Sequence, residues 1–175
     1  MLTIKLIPIA PVNMEILEQL TEPLEKQFSA AVEIEQKNLL NAETVPSRAQ
    51  YYSTKLLSEL LEANKNFTGK VLGITSVDLF IPVLTYVFGE AQLNGTVSLM
   101  STYRLSETLY GLPENKELFI ERSIKEAVHE LGHTFGLLHC RDYNCAMHSS
   151  TSVEEVDVKG KTLCSNCRQK ISLST

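Results

Sequence analysis

The stretch Pro113-Glu-Asn-Lys-Glu-Leu-Phe-Ile120-Glu-Arg-Ser-Ile124-Lys-Glu-Ala127-Val128-His129-Glu130-Leu131-Gly-His133-Thr-Phe135-Gly136 decides how the chain reads. Ile120, Ile124, Ala127, Val128, Leu131 and Phe135 recur at helical spacing, which predicts a long helix from Pro113 with one face in a core. Gly136 is suited to end it in a left-handed conformation. Past Gly136 the periodicity fails, and the last 39 residues predict loops, turns and one short terminal helix. Apolar burial alone is not expected to hold such a tail.

Toward the N-terminus, Leu2 to Ile9 predicts a first strand, and Ile16, Leu20, Leu24 and Phe28 mark a helix at spacing four. Val32 and Ile34 alternate with Glu33 and Glu35 as a second strand. A second helix is expected over roughly Ser47 to Asn64, buried through Leu56, Leu57, Leu60 and Leu61. Lys70 to Thr75 reads as a third strand, and Thr96 to Thr102 is β-prone behind the turn signal Asn94-Gly95. Asp78 to Phe88 has no clear period, and Pro82 argues against a long element there. The order of elements predicts an α/β chain, a mixed sheet with helices packed on it. No repeat or linker interrupts it. A single domain over 1–175 is expected, with a sheet and helix portion over 1–136 and a small portion over 137–175.

The charge is acidic, 16 Lys and Arg against 21 Asp and Glu, without basic runs, which argues against nucleic acid as a partner. With 43% hydrophobic and 21% charged residues, the composition is that of an ordinary globular protein. The apolar run Leu79 to Phe88 is about half the length a bilayer span needs. The first ten residues read as a buried strand rather than an export signal, so the expected compartment is the cytoplasm. Thiols stay reduced there, and clustered Cys suggest metal more than disulfides. All four His and all four Cys fall between His129 and Cys167.

His129-Glu-Leu-Gly-His133-Thr-Phe-Gly-Leu-Leu-His139 fixes five positions in eleven residues. Residues four apart on a helix differ by about 40° and 6 Å, so the His129 and His133 imidazoles reach one ion. A sharp turn at Gly136 returns His139 as third ligand. Three neutral nitrogens leave one tetrahedral position open, the pattern of catalytic rather than structural zinc. Glu130 stands beside the ligands, placed to take a proton from water during hydrolysis. Cys140, Cys145, Cys164 and Cys167 form two pairs that suit a second, closed, four-thiolate zinc site fastening the tail. In extended chain, His139 and Cys140 point to opposite sides, toward different ions. Two disulfides, or free thiols, are the alternatives. A different partition would give Cys140 to the first metal in place of His139. His148 is unassigned and is expected to be an ordinary exposed histidine.

Together, His129-Glu130-x-x-His133-x-x-Gly136-x-x-His139-Cys140, Cys145-x-Met147 and Cys164-x-x-Cys167 resemble the archaemetzincins, a family of zinc-dependent proteases in the metzincin clan. Asp78 to Pro82, Val87 to Ala91 and Ser101 to Leu105 are similar to the family as well. The resemblance implies a metzincin-like mixed sheet, a long active-site helix and a zinc-stapled C-terminal subdomain. It implies two zinc ions: a catalytic one on His129, His133 and His139, and a structural one on the four Cys. Glu130 would be the general base, Met147 the Met-turn, and a peptide or protein the substrate. It also suggests that the strand at Thr96 to Thr102 lines the cleft as an exposed edge to which a peptide adds. The rival expectation is a zinc-binding interaction module without proteolysis.

Overall fold

The structure, a computed structural model, describes residues 1–35, 44–45 and 49–172. In chain order its elements are β1 (Thr3–Pro8), α1 (Met14–Phe28), β2 (Ala31–Ile34), β3 (Thr44–Val45), β4 (Gln50–Tyr52), α2 (Ser53–Ala63) and β5 (Lys70–Thr75). There follow β6 (Leu79–Ile81), β7 (Leu84–Val87), β8 (Gly89–Ala91), β9 (Val97–Ser101), α3 (Lys116–Thr134), α4 (Val153–Val158) and α5 (Ser165–Ser172).

Five strands form the main sheet in the order β2-β1-β5-β9-β8. The first four run parallel, and β8 pairs antiparallel with β9. Side chains alternate along each strand, so the central strands feed two cores. Ile4, Leu6, Leu72, Ile74 and Met100 face α1 and α3; Ile7, Ile9, Val71 and Leu99 face α2. This is the expected mixed sheet with helices on it.

α3 is held at both ends. The Asn115 side chain accepts from Leu118 N–H at its start. At its end, Gly136 has φ +84°, its N–H donates to His133 O, and Leu137 N–H donates to Gly132 O. That pair of bonds is a Schellman turn, which lets the chain reverse after one further residue. Phe135 stacks on Phe28 of α1 with ring centroids 5.0 Å apart.

Three expectations need correction, and the stretch Asp78 to Phe88, whose period is unclear, receives short elements that agree with the Pro82 argument. The strand over Thr96 to Thr102 is not an exposed edge: β9 lies between β5 and β8, and all five of its residues are buried. The turn at Asn94-Gly95 folds β8 back onto it, so β8 takes the edge. Ser101 N–H donates to Phe88 O and Gln92 N–H to Val97 O. By antiparallel alternation, the main-chain groups of Gly89 and Ala91 therefore point away from the sheet. Second, α2 starts at Ser53, and the expected start near Ser47 lies outside the described residues. Third, the tail carries two short helices and has apolar support, because Val153, Val156, Leu163 and Ile171 join the main core. Asp78 to Phe88 holds the antiparallel pair β6 and β7, part of a small sheet ordered β3-β4-β6-β7.

The tail is also tied to α3 by charge. Arg122, 3% exposed, grips Asp157 with two bonds of 2.6 and 2.7 Å, and Lys125 donates to the Asp157 carbonyl. Lys159 pairs with Glu126 at 2.7 Å, both buried. Among the described residues, no helix is long and apolar enough to cross a membrane.

Candidate metal centre and active site

The buried end of α3 and the reversed chain after Gly136 bring His129, His133 and His139 together, one ring nitrogen of each within 4.8 Å of the others. His129 Nδ1 lies 2.8 Å from Ala146 O, and His133 Nδ1 lies 2.8 Å from Leu137 O. A carbonyl only accepts, so both Nδ1 atoms carry the proton and both Nε2 atoms are left as acceptors. Those two Nε2 atoms face each other at 3.2 Å. Two acceptors held that close repel unless a cation lies between them. Ligands about 2.0–2.1 Å from a tetrahedral zinc stand about 3.3 Å apart, so the spacing fits. The carbonyl partners are the outer bonds that fix tautomer and ring direction in imidazole metal sites.

Cys140, Cys145, Cys164 and Cys167 meet in a second cluster, again within 4.8 Å. All four are free thiols, and Cys140 Sγ is 4.0 Å from Cys164 Sγ. Zinc–sulfur bonds of about 2.3 Å put tetrahedral thiolates about 3.8 Å apart, so this set suits a closed site. His139 and Cys140 go to different clusters, as alternation predicts, and Cys140 stands with the thiols rather than the imidazoles.

Met147 is fully buried against α3 at Gly132. A Cβ on Gly132 would overlap its Sδ, so the helix needs glycine there for Met147 to pack. Met147 O accepts from Cys140 N–H at 2.8 Å, and Ala146 O holds His129. The segment between the clusters thus touches both. His148 donates from Nδ1 to Cys140 O and lies against the Tyr143 ring at 4.1 Å, bracing the same turn. It is half-buried, not the freely exposed histidine expected.

Glu130 is buried next to the sheet edge. Burial, then the neighbouring Glu126, push its carboxyl pKa well above the ordinary carboxylate range. A Cβ at Gly89 would come 2.6 Å from Glu130 Oε1 and 2.5 Å from Leu99 O. Glycine at the start of β8 is what lets the carboxyl group occupy this place. Sequence reading missed Glu126, Lys159 and Gly89. Glu126 precedes His129 by three and Glu130 by four, so its place on the ligand stripe was available from helical spacing. Lys159, whose Nζ is 3.5 Å from His129 Nδ1, had no local signal.

A cleft of about 600 Å³ opens over these groups, within the range of small-ligand sites. Leu84 to Ala91, Ser149 to Thr151 and the ligand-bearing end of α3 line it.

Burial lowers the pKa of all three clustered imidazoles, and that of His129 well below its usual value. Without metal, the unfolded chain therefore binds more protons than the folded one below about pH 6.5. The stability from neutral imidazoles is present above that pH and lost as pH falls. Glu130 has the opposite sign, since its raised pKa favours the fold at acid pH, but it is one group against three. The metal-stripped protein is expected to melt at progressively lower temperature from about pH 7 to pH 5. A melting temperature that rises over that interval contradicts this.

The model of peptidase family M54 matches residues 23–173. The archaemetzincin of Methanocaldococcus jannaschii is 37% identical over 164 residues, which cover 94% of this chain and 89% of that protein. Among solved structures, a zinc-dependent peptidase from Methanocorpusculum labreanum superposes with a TM-score of 0.87 at 29% identity, over 96% of this chain and 99% of the other. The archaemetzincin of Archaeoglobus fulgidus, in complex with malonate, gives 0.80 at 34% identity over 97% and 99%. On sequence and fold together, the chain belongs to peptidase family M54, the archaemetzincins.

Proposed function

We propose that this chain hydrolyses peptide bonds with one zinc held by His129, His133 and His139, while a second zinc on Cys140, Cys145, Cys164 and Cys167 has a structural role. The observation that carries the reading is the pair of facing, unprotonated Nε2 atoms at 3.2 Å beside the buried Glu130. The chemistry a bound zinc supplies is Lewis acidity, which activates water and polarises a carbonyl. Glu130 accepts the proton of the attacking water at its carboxylate and returns it to the leaving amine nitrogen. A carboxyl group whose proton affinity is raised by burial suits both transfers. The outward main-chain groups of Gly89 and Ala91 take an extended peptide as an added strand, which fixes the scissile bond over α3. Four reduced thiols kept for metal suit the cytoplasm, where we place the protein.

Metal analysis joined to a peptide-library digest tests the reading. Two zincs per chain with cleavage are expected. Two zincs without cleavage of any peptide would favour the interaction module instead.

Gly89→Ala gives an independent check on the placement of Glu130. The added methyl group has no room, so a loss of about 1–3 kcal/mol in denaturant titration is expected. Hydrolysis should fall further than stability, because the Glu130 carboxylate is the group displaced. Unchanged turnover in a folded Gly89→Ala protein would contradict this placement.

A further inference from the structure

Two large apolar side chains stand open beside the imidazoles. Leu138 is 68% exposed and Leu93 is 55% exposed, although both sit on tightly held main chain. Leu138 lies between His139 and the buried Leu137, whose N–H donates to Gly132 O and whose carbonyl accepts from His133 Nδ1. Leu93 lies in the turn after β8. The next residue, Asn94, donates its N–H to His133 O at 2.9 Å, and Lys70 Nζ bridges Gly95 O and Thr134 O at 2.7 and 2.8 Å. The main chain under both leucines is thus fixed to the ligand-bearing end of α3.

A single exposed leucine needs no explanation, but these two share their surroundings. Both line the cleft over the imidazoles, and both line a neighbouring cavity of about 460 Å³ with Asn94, Phe135 and Gly136. Continuity with the cleft says what covers them. Gly89, at the start of β8, lies against Glu130, and β8 runs on through Ala91 to the turn that holds Leu93. A peptide added to the outward main-chain groups of Gly89 and Ala91 is carried from the catalytic groups toward Leu93.

We propose that Leu93 and Leu138 form a specificity subsite for one large apolar side chain of the substrate, about two to four residues from the bond that is cut. That spacing follows from about 3.3 Å per extended residue over the positions between Gly89 and Leu93. The inference rests on the peptidase reading above and adds the substrate class: peptides with Leu, Ile, Met or Phe at one fixed position on one side of the cut bond. The two side chains meet substrate away from the reacting atoms, so they set specificity without taking part in bond cleavage. Because their main chain is already fixed, little ordering opposes binding there.

The test is the cleavage profile of the zinc-loaded protein on random dodecapeptides, read by mass spectrometry. At one position within four residues of the cut, a large apolar residue should raise kcat/KM about tenfold or more over Ser or Asp, the scale of burying one such side chain. Leu93→Ser and Leu138→Ser change exposed positions, so the fold should hold, and each should flatten the preference at that position alone. Leu138→Lys should turn the preference there toward Asp or Glu, a change that loss of structure does not produce. Binding of the same peptides to zinc-loaded Glu130→Gln protein is read in parallel by fluorescence anisotropy. Tighter binding of the apolar peptides, lost on adding Leu138→Ser, by a protein whose wild type cleaves nothing supports the subsite and overturns the peptidase reading. Uniform binding with a uniform profile near the cut, or a preference unchanged in both serine variants, overturns the subsite. So does a dimer in sedimentation that Leu138→Ser dissociates, since a second copy of the chain then covers the leucines.

Discussion

Glu130→Gln is expected to lower peptide hydrolysis by about 10²–10⁴-fold while leaving zinc content at the wild-type level. The amide matches the carboxylate in size, so the close packing against Gly89 is kept. It cannot accept the proton of the attacking water, so the step that needs a base loses it. None of the hydrogen bonds that aim the imidazoles passes through Glu130: His129 is held by Ala146 O and His133 by Leu137 O. Metal content and turnover should therefore separate in this variant. Removal of His133 should lose both together. If the Gln protein turned over at the wild-type rate with its metal in place, Glu130 would not be the base.

The second large effect concerns the thiol cluster. Cys164→Ser is expected to make the chain after Cys140 sensitive to protease and to lower the melting temperature. Structural zinc sites contribute about 10–16 kcal/mol in small metal-dependent domains, far more than any single contact in this tail. The loosening should be uneven. The segment around α4 keeps Arg122–Asp157, Glu126–Lys159 and the buried Val153 and Val156, which tie it to α3 and the main core. The Cys140–Cys145 turn and the stretch from Lys161 to α5 lose their common tie and should be cut first. Because Ala146 and Met147 directly follow that turn, the His129 acceptor and the support under Gly132 should be disturbed, and hydrolysis should fall as well. Proteolysis followed by mass spectrometry reads the order of cuts. First cuts within α4, or resistance equal to wild type, would contradict this distribution of stability.

Much of the fold was legible because its signals are local. The four-residue spacing of Ile16, Leu20, Leu24 and Phe28 and the stripe ending at Phe135 specify α1 and α3 directly, and all lie in one core cluster or against it. The motif placed three imidazoles on one helix and its return turn, and helix geometry does the rest. What escaped reading is short or non-local. β8 is three residues long and opens with glycine, so it has neither the length nor the composition of a strand, although it forms the sheet edge. β3, β4, β6 and β7 run two to four residues each, too few for a period to show. Glu126 and Lys159 find each other across 33 positions through the fold alone. The tail looked unsupported because its few apolar residues have no period, and their burial depends on where α3 carries the charges that hold α4.

Zinc K-edge absorption on the purified protein tests the central claim, two differently built metal centres in one chain, most directly. The prediction is two zincs whose combined first shell holds four sulfurs at about 2.3 Å and imidazole nitrogens at about 2.0 Å. Cys164→Ser should deplete the sulfur shell and His133→Ala the nitrogen shell. A single mixed site, or a shell of sulfur alone, would contradict it.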